Sequence, residues 1–241
     1  MILRPFFHYY GAKWRAVHSG RYPEPQHNHI VEPFAGAAGY ALHYPLRRVT
    51  LCDRDPVIAG IWRWLISATP DEVMSIPLTD NVDELPEWVP LGAKDLVGFS
   101  MNAATTSPRK TLSAGGLRLR EMGRRFYGWT AEWRWRVAQQ VPHIKHWQVN
   151  QADYTCLNQY PMAPATWFVD PPYVDAGKHY KFGPDGISYT RLAEWCKALP
   201  GQVIACEQSG ASWLPFKDIG SIKSGPRTKT SAEAVWIKEA A

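Results

Sequence analysis

The stretch Thr166-Trp167-Phe168-Val169-Asp170-Pro171-Pro172-Tyr173 limits the fold of this chain more than any other. It is a short apolar, β-prone run that stops on a carboxylate, two prolines and an aromatic ring. That pattern reads as a buried strand with its polar groups just beyond the carboxyl end, where open α/β sheets bind ligands. Two successive prolines fix φ and remove two backbone donors, leaving rigid carbonyls that can only accept hydrogen bonds. Asp170 adds an acceptor and Tyr173 a flat face, so the group suits a planar heterocycle with an exocyclic amine, such as adenine. The same four residues also make an ordinary strand-closing turn, and the rest of the chain has to decide between the two.

Upstream, Ile30 to Phe34 reads as a strand, Ala35-Gly36-Ala37-Ala38-Gly39 as a small-residue turn, and Tyr40-Ala41-Leu42 as the opening of a helix. Strand, turn and helix in that order form the first half of a dinucleotide-type unit, in which the turn lets a ligand lie against backbone. A second strand, Arg48 to Cys52, ends on Asp53, at the spacing that places an acid opposite ribose hydroxyls in such folds. The alternative for Asp53 is a helix cap before Pro56. Val57 to Ile66 is expected to be helical, with Ile58, Ile61, Trp62 and Leu65 on one face. Sheet character returns at Ile144 to Val149, Gly201 to Glu207 and Ala234 to Lys238. The N-terminal block from Pro5 to Lys13 joins aromatics to Gly11 and Ala12, small enough for backbone to approach a ligand. His27 and His29 alone are too little for a metal site, and no Cys or His spacing suggests one.

With 241 residues the chain can form one large domain, or one domain carrying an insertion. The proline-containing run Ile76 to Pro90 looks like a border. From Leu91 to Gln140 there are nine Lys or Arg against three acids, a surplus of six where the whole chain carries only +5. Basicity concentrated in one segment is the footprint that phosphates require, with Arg109, Lys110, Arg118, Arg120, Arg124 and Arg125 as the candidate contacts. Arginines interleaved with Tyr127, Trp129, Trp133 and Trp135 also suit cation–π packing on a helix face. Ser107-Pro108 and Gly115-Gly116 suggest loops. Four scattered cysteines and no signal peptide fit a reduced, cytoplasmic protein. No apolar run is long enough to span a membrane, and a monomer is expected.

In chain order, the block Phe6 to Lys13, Glu32-Pro33-Phe34-Ala35-Gly36, Asp53, Asp153 and Asp170-Pro171-Pro172-Tyr173 resemble the Dam-like family of DNA adenine-N6 methyltransferases. The resemblance is specific in the two ends of the chain and weak between them. It implies an α/β, Rossmann-like S-adenosylmethionine-dependent methyltransferase sheet, formed by residues 1–66 and 143–241, with an inserted, mainly helical target recognition region at 67–142. It also implies S-adenosylmethionine as cofactor and double-stranded DNA as partner, with the target adenine flipped out of the duplex. The setting would be a bacterial or phage-infected cell, restriction-modification being one such role.

Carried over by position, Tyr9 stands at the family's tryptophan, with Gly11 and Lys13 near the cofactor. Glu32, Phe34, Ala35 and Gly36 would line its methionine side, Asp53 its ribose and Asp153 its adenine. Asp170, which also adjoins the cofactor, would hold the target amine with Pro171 and Pro172, and Tyr173 would stack on the base. Two departures stand out: Gly11-Ala12-Lys13 where the family has Gly-Gly-Lys, and Gly36-Ala37-Ala38-Gly39 where it has Gly-x-Gly. They are the argument for one alternative, a nucleic-acid-binding protein that keeps the fold without turnover. The other alternative is a methyltransferase acting on cytosine N4 or on RNA, which the same acceptor pair would serve.

Overall fold

The strands are β1 (His29–Glu32), β2 (Arg48–Asp53), β3 (Gln148–Gln151), β4 (Ala165–Val169), β5 (Gly201–Gln208), β6 (Lys217–Lys223) and β7 (Thr230–Lys238). The computed structural model describes residues 1–102, 105–123, 127–159, 163–223 and 230–240. The strands form one sheet in the order β3-β2-β1-β4-β5-β7-β6. The first five are parallel, and β7 runs antiparallel between β5 and β6. The chain steps outward from β1 to β3, returns to lay β4 beside β1, and then moves the other way. The fold is therefore α/β and Rossmann-like, and its direction reverses between β1 and β4, the crevice in which such sheets hold ligands.

Alternation along the strands sorts two cores. Ile30, Phe168, Ile204 and Cys206 face one side, together with Phe6, Phe7 and Trp62. Val31, Trp167, Val169, Val203 and Ala205 face the other, against Leu192, Ala193 and Cys196. β4 is buried along its whole length because β1 and β5 cover both edges, Tyr22 and Tyr40 pack on Phe168 at one face and Trp195 packs on Trp167 at the other. Its apolar run therefore ends where the carboxylate of Asp170 begins.

The helices are α1 (Trp14–His18), α2 (Pro56–Ser67), α3 (Pro70–Ser75), α4 (Leu91–Ser100), α5 (Ala114–Glu121), α6 (Ala131–Gln140) and α7 (Tyr189–Ala198). The cap of α2 is Asp55, which accepts from the Val57 amide at 3.0 Å with Pro56 in the first turn. Ile58, Ile61, Trp62 and Leu65 are buried, as their spacing predicts. The long connection from β2 to β3 carries α2 to α6, so the region between the second and third strands is mainly helical. Val73, Ile76, Leu85, Val89, Trp129 and Trp133 share one core with Val49 and Leu51 of the sheet. Trp133 also donates to the Phe6 carbonyl at 3.0 Å, which ties this region to the N-terminal block.

Three local expectations need correction, and one strand has no counterpart among the expectations. The helix after the glycine turn is only a 3-10 turn, Ala41–His43, because Pro45 pushes Tyr44 out of helical conformation. Strand β3 starts at Gln148, since Pro142 opens a 3-10 turn over Val141–Ile144. Gly115 and Gly116 lie in the first turn of α5, whose cap Ser113 accepts from the Gly116 amide at 3.1 Å. Strand β6 was not legible, because Lys217, Asp218 and Gly220 dilute its apolar pattern. Among the described residues, no helix is long and apolar enough to cross a membrane.

Candidate active site

A cleft lies at the carboxyl ends of β1, β2, β3 and β4, the edge at which open α/β sheets hold ligands. Tyr9, Gly11, Lys13, Glu32, Phe34, Ala35, Gly36, Asp53, Asp153 and Asp170 all line it, and so does Pro172. Residues from five separate stretches of sequence are thus brought together.

The turn after β1 is shaped by backbone more than by side chains. Gly36 has φ +45°, and a Cβ there would sit 3.1 Å from the Tyr9 ring. A Cβ on Gly39 would come within 2.7 Å of the Trp14 backbone nitrogen, so the N-terminal segment packs directly on this turn. Ala38 takes φ 50°, a left-handed conformation that costs an L-residue ~1–2 kcal/mol. The turn from Gly36 to Gly39 therefore carries one left-handed alanine, and with it some strain.

Asp53 holds the turn from the neighbouring strand. One oxygen accepts from the Gly36 amide at 2.9 Å and the other from the Asp55 amide at 2.9 Å. Burial pushes its carboxyl up to about 6, and the two amides oppose that rise. A carboxylate offers about four lone-pair directions, so both oxygens of this cleft-lining residue retain acceptor capacity. Asp153 accepts from the Thr155 amide and hydroxyl at 3.1 and 2.8 Å, with the Arg54 guanidinium 4.0 Å away.

Glu32 is buried, and its carboxylate accepts from the Ala41 amide at 2.7 Å. Burial pushes this carboxyl up to about 8. Between an unfolded value near 4.5 and about 8, the folded chain holds a proton that the unfolded chain has released. Stability from this group is therefore fully present below the lower value and lost as pH rises through the upper one. The unfolding midpoint is expected to fall from about pH 5 to about pH 9, and Glu32→Gln, which keeps an acceptor for Ala41, should flatten that fall. Thermal melts of both proteins across this range provide the check. Parallel curves would mean that Glu32 does not carry the titration.

At the β4 side, Lys13 reaches from the N-terminal block to place its ammonium 3.1 Å from Asp170 Oδ1 and 2.9 Å from the Gly11 carbonyl. Glu233 Oε2 is 3.9 Å from the same nitrogen. Burial alone would lower the Lys13 ammonium, but Asp170 and Glu233 outweigh this and hold it above the usual lysine value. Burial pushes the Asp170 carboxyl up to about 6 against the pull of Lys13. Tyr189 donates its hydroxyl to the Pro172 carbonyl and so fixes the backbone past the carboxylate.

Tyr173 differs from expectation. It does not line the cleft: its ring is buried beneath the Lys13 ammonium, 4.7 Å away, and its hydroxyl donates to Glu233. In this arrangement it presents no open face to a base, because a lysine and a carboxylate hold it inward.

The loop after Tyr173, in which Gly177, Gly183 and Gly186 are interspersed with Lys178, His179, Tyr180 and Lys181, roofs the cleft. Tyr180 donates to the Tyr10 carbonyl at 2.9 Å, and Thr106 donates to the His179 carbonyl at 2.9 Å. Lys181 lies 3.8 Å from Asp55, and the Arg54 guanidinium sits 5.1 Å over the Phe182 ring. Tyr180, Lys181, Phe182 and Ile187 therefore complete the lining. The one sequence signal for them was the aromatic-basic run Tyr180-Lys181-Phe182. Glu233 left no signal, since it belongs to a strand far along the chain.

The basic candidates are dispersed. Arg109 and Arg118 are exposed. Lys110 pairs with Asp83 at 3.0 Å, and Arg120 forms a two-pronged pair with Asp80, one arm at 2.7 Å. Arg124 and Arg125 lie outside the described residues. Two other arginines of this segment are structural: Arg134 donates to the Ile76 carbonyl, and Arg136 packs over Trp133 while donating to the Pro5 carbonyl. Among the described residues no cluster of His, Cys, Asp or Glu could hold a metal ion.

No family model matches this chain, and no curated protein does. Among solved structures, it is similar to a conserved hypothetical protein of Streptococcus pyogenes at 11% identity and a TM-score of 0.40, covering 88% of this chain and 86% of the other. It is also similar to the rRNA methyltransferase aviRa of Streptomyces viridochromogenes at 16% identity and a TM-score of 0.38, covering 92% and 81%. Likeness at this level carries no weight for substrate or cofactor, and the reading below rests on the strand order and the cleft.

Proposed function

We propose that the chain transfers a methyl group from S-adenosylmethionine to the N6 amine of an adenine flipped out of double-stranded DNA. The observation that carries this reading is one cleft, at the reversal point of the sheet, in which the Gly36 turn and Asp53 meet Asp170 and Pro172, with Pro171 buried between them. The residues fit the cofactor: a glycine turn closed over by Tyr9, an acid at the end of β2 for ribose hydroxyls, and Asp153 with Phe34 farther along. When bound, the cofactor supplies a sulfonium-activated methyl group.

The remaining chemistry falls to the protein. An exocyclic amine conjugated with its ring is a poor nucleophile because its lone pair is delocalised. Asp170 and the Pro171 carbonyl, as acceptors for its two N–H groups, favour a pyramidal nitrogen whose lone pair points at the methyl group. With its carboxyl near 6, Asp170 is mostly ionised at neutral pH and is the stronger of the two acceptors. Positioning and fixed electrostatics then account for most of the rate. A base inside a duplex cannot reach such a site and has to be extruded. Tyr9, Tyr10, Tyr180 and Phe182 give the cleft flat walls.

Incubating the protein with labelled cofactor and unmodified DNA, followed by nucleoside mass spectrometry, tests the reading directly. Label on N6-methyladenine is expected. Label found only on cytosine, RNA or protein would overturn the substrate assignment.

Residues 67–142 are proposed as the DNA-contacting region, with Arg109 and Arg118 as leading contacts and Lys110 and Arg120 able to exchange their exposed acids for phosphates. Arg109→Ala combined with Arg118→Ala should reduce the slope of log affinity against log salt by about 1.8, at about 0.9 per lost phosphate contact. Titrations at several salt concentrations measure this. An unaltered slope in the folded double variant would remove the pair from the interface.

A further inference from the structure

We infer, resting on the amine methylation proposed above, that Glu233 is a positioning residue: it takes over the Lys13 ammonium when a substrate amine claims Asp170. Glu233 lies on β7 opposite Gln208 of β5 and is 5% exposed. Its Oε2 stands 3.9 Å from Lys13 Nζ, which is 3.1 Å from Asp170 Oδ1. The same Oε2 accepts from the Tyr173 hydroxyl. The ammonium thus sits between two carboxylates, engaged with one and a short shift from the other, while the Gly11 carbonyl holds its third side at 2.9 Å.

This arrangement resolves a conflict at Asp170. The carboxylate must act as a strong acceptor for the incoming amine, yet the Lys13 ammonium draws on the same charge from 3.1 Å. A buried cation cannot be released from its only counter-charge without a large penalty. With Glu233 beside it, Lys13 remains paired throughout the exchange, and Asp170 is freed for the substrate without a stranded charge. Tyr173 then has a defined task despite being buried: its hydroxyl fixes Glu233, and its ring supports the ammonium from below at 4.7 Å. The last residue of the Asp-Pro-Pro-Tyr group becomes a strut that holds the counter-charge in place.

The test compares the full-length wild type with Glu233→Gln and Tyr173→Phe, using a carboxyl-13C aspartate label assigned through Asp170→Asn. Glutamine is nearly isosteric and keeps an oxygen for Tyr173. In Glu233→Gln, kcat for methyl transfer should fall by about tenfold or more, with KM for S-adenosylmethionine within about threefold. The Glu233 charge raises the Asp170 carboxyl, so its removal should move both the acid limb of kcat and the Asp170 titration to lower pH. Tyr173→Phe should act in the same direction more weakly, and it carries the test if the glutamine variant fails to fold. Wild-type kcat in folded Glu233→Gln overturns the inference. So does a lost rate with neither the acid limb nor the Asp170 titration moved, which marks a merely structural role. If the wild type methylates a different amine, the adenine reading fails while these readouts still decide the role of Glu233. If nothing is methylated, the Asp170 titration decides it alone.

Discussion

Asp170→Asn is expected to lower the rate of methyl transfer by about 10²–10³-fold, the effect of removing one fixed electrostatic partner from a reacting group. The variant keeps the shape of the side chain but exchanges a charged acceptor for an amide whose NH2 faces the substrate amine. The fold should persist, because Lys13 retains the Gly11 carbonyl at 2.9 Å and Glu233 at 3.9 Å. Removing one of two carboxylates leaves one cation against one anion, not an uncompensated buried charge. The wild-type rate should fall as pH drops through about 6, where the Asp170 carboxyl takes up its proton and ceases to be a charged acceptor. Single-turnover rates against pH, with thermal melts as the control for folding, measure both effects. An asparagine variant working at the wild-type rate would remove Asp170 from the reaction.

The legibility of the chain follows where each signal is stored. Strand β4 and Asp170 were readable because a fully buried parallel strand is apolar on both faces, so its end is marked sharply by the first charge. Asp53 was readable because β2 is equally apolar up to it. The helix over α2 was readable from the spacing of Ile58, Ile61, Trp62 and Leu65. By contrast, β6 is an edge strand with one neighbour and needs no such pattern. The roof over the cleft was not readable, because Tyr180 and Lys181 are placed by contacts with Tyr10 and Asp55, more than a hundred residues away. Tyr173 shows the limit from the other side. Its motif was clear, but which way the ring turns depends on Lys13 and Glu233, at opposite ends of the chain. Charge counts misled in a similar way: Arg134 and Arg136 added to the basic surplus, yet they bind the Ile76 and Pro5 carbonyls.

Asp53→Ala should weaken S-adenosylmethionine binding by about 1.5–3 kcal/mol, or roughly 10- to 150-fold in Kd, the range for a hydrogen bond to a charged group. Two physical routes lead to that loss. The carboxylate would bond the ribose hydroxyls directly, and it also holds the Gly36 amide at 2.9 Å, so its removal loosens the turn on which the cofactor would rest. A cycle that pairs Asp53→Ala with the 2′,3′-dideoxy form of S-adenosylhomocysteine separates them. If Asp53 acts through the hydroxyls, removing both partners should cost little more than removing either one. If it acts through the turn, the two losses should add. Calorimetry on the four combinations gives the coupling, and an unchanged affinity in Asp53→Ala would rule out both routes. The direct route is the expected one, because Asp53 lines the cleft and each of its oxygens spends only one lone-pair direction on a backbone amide.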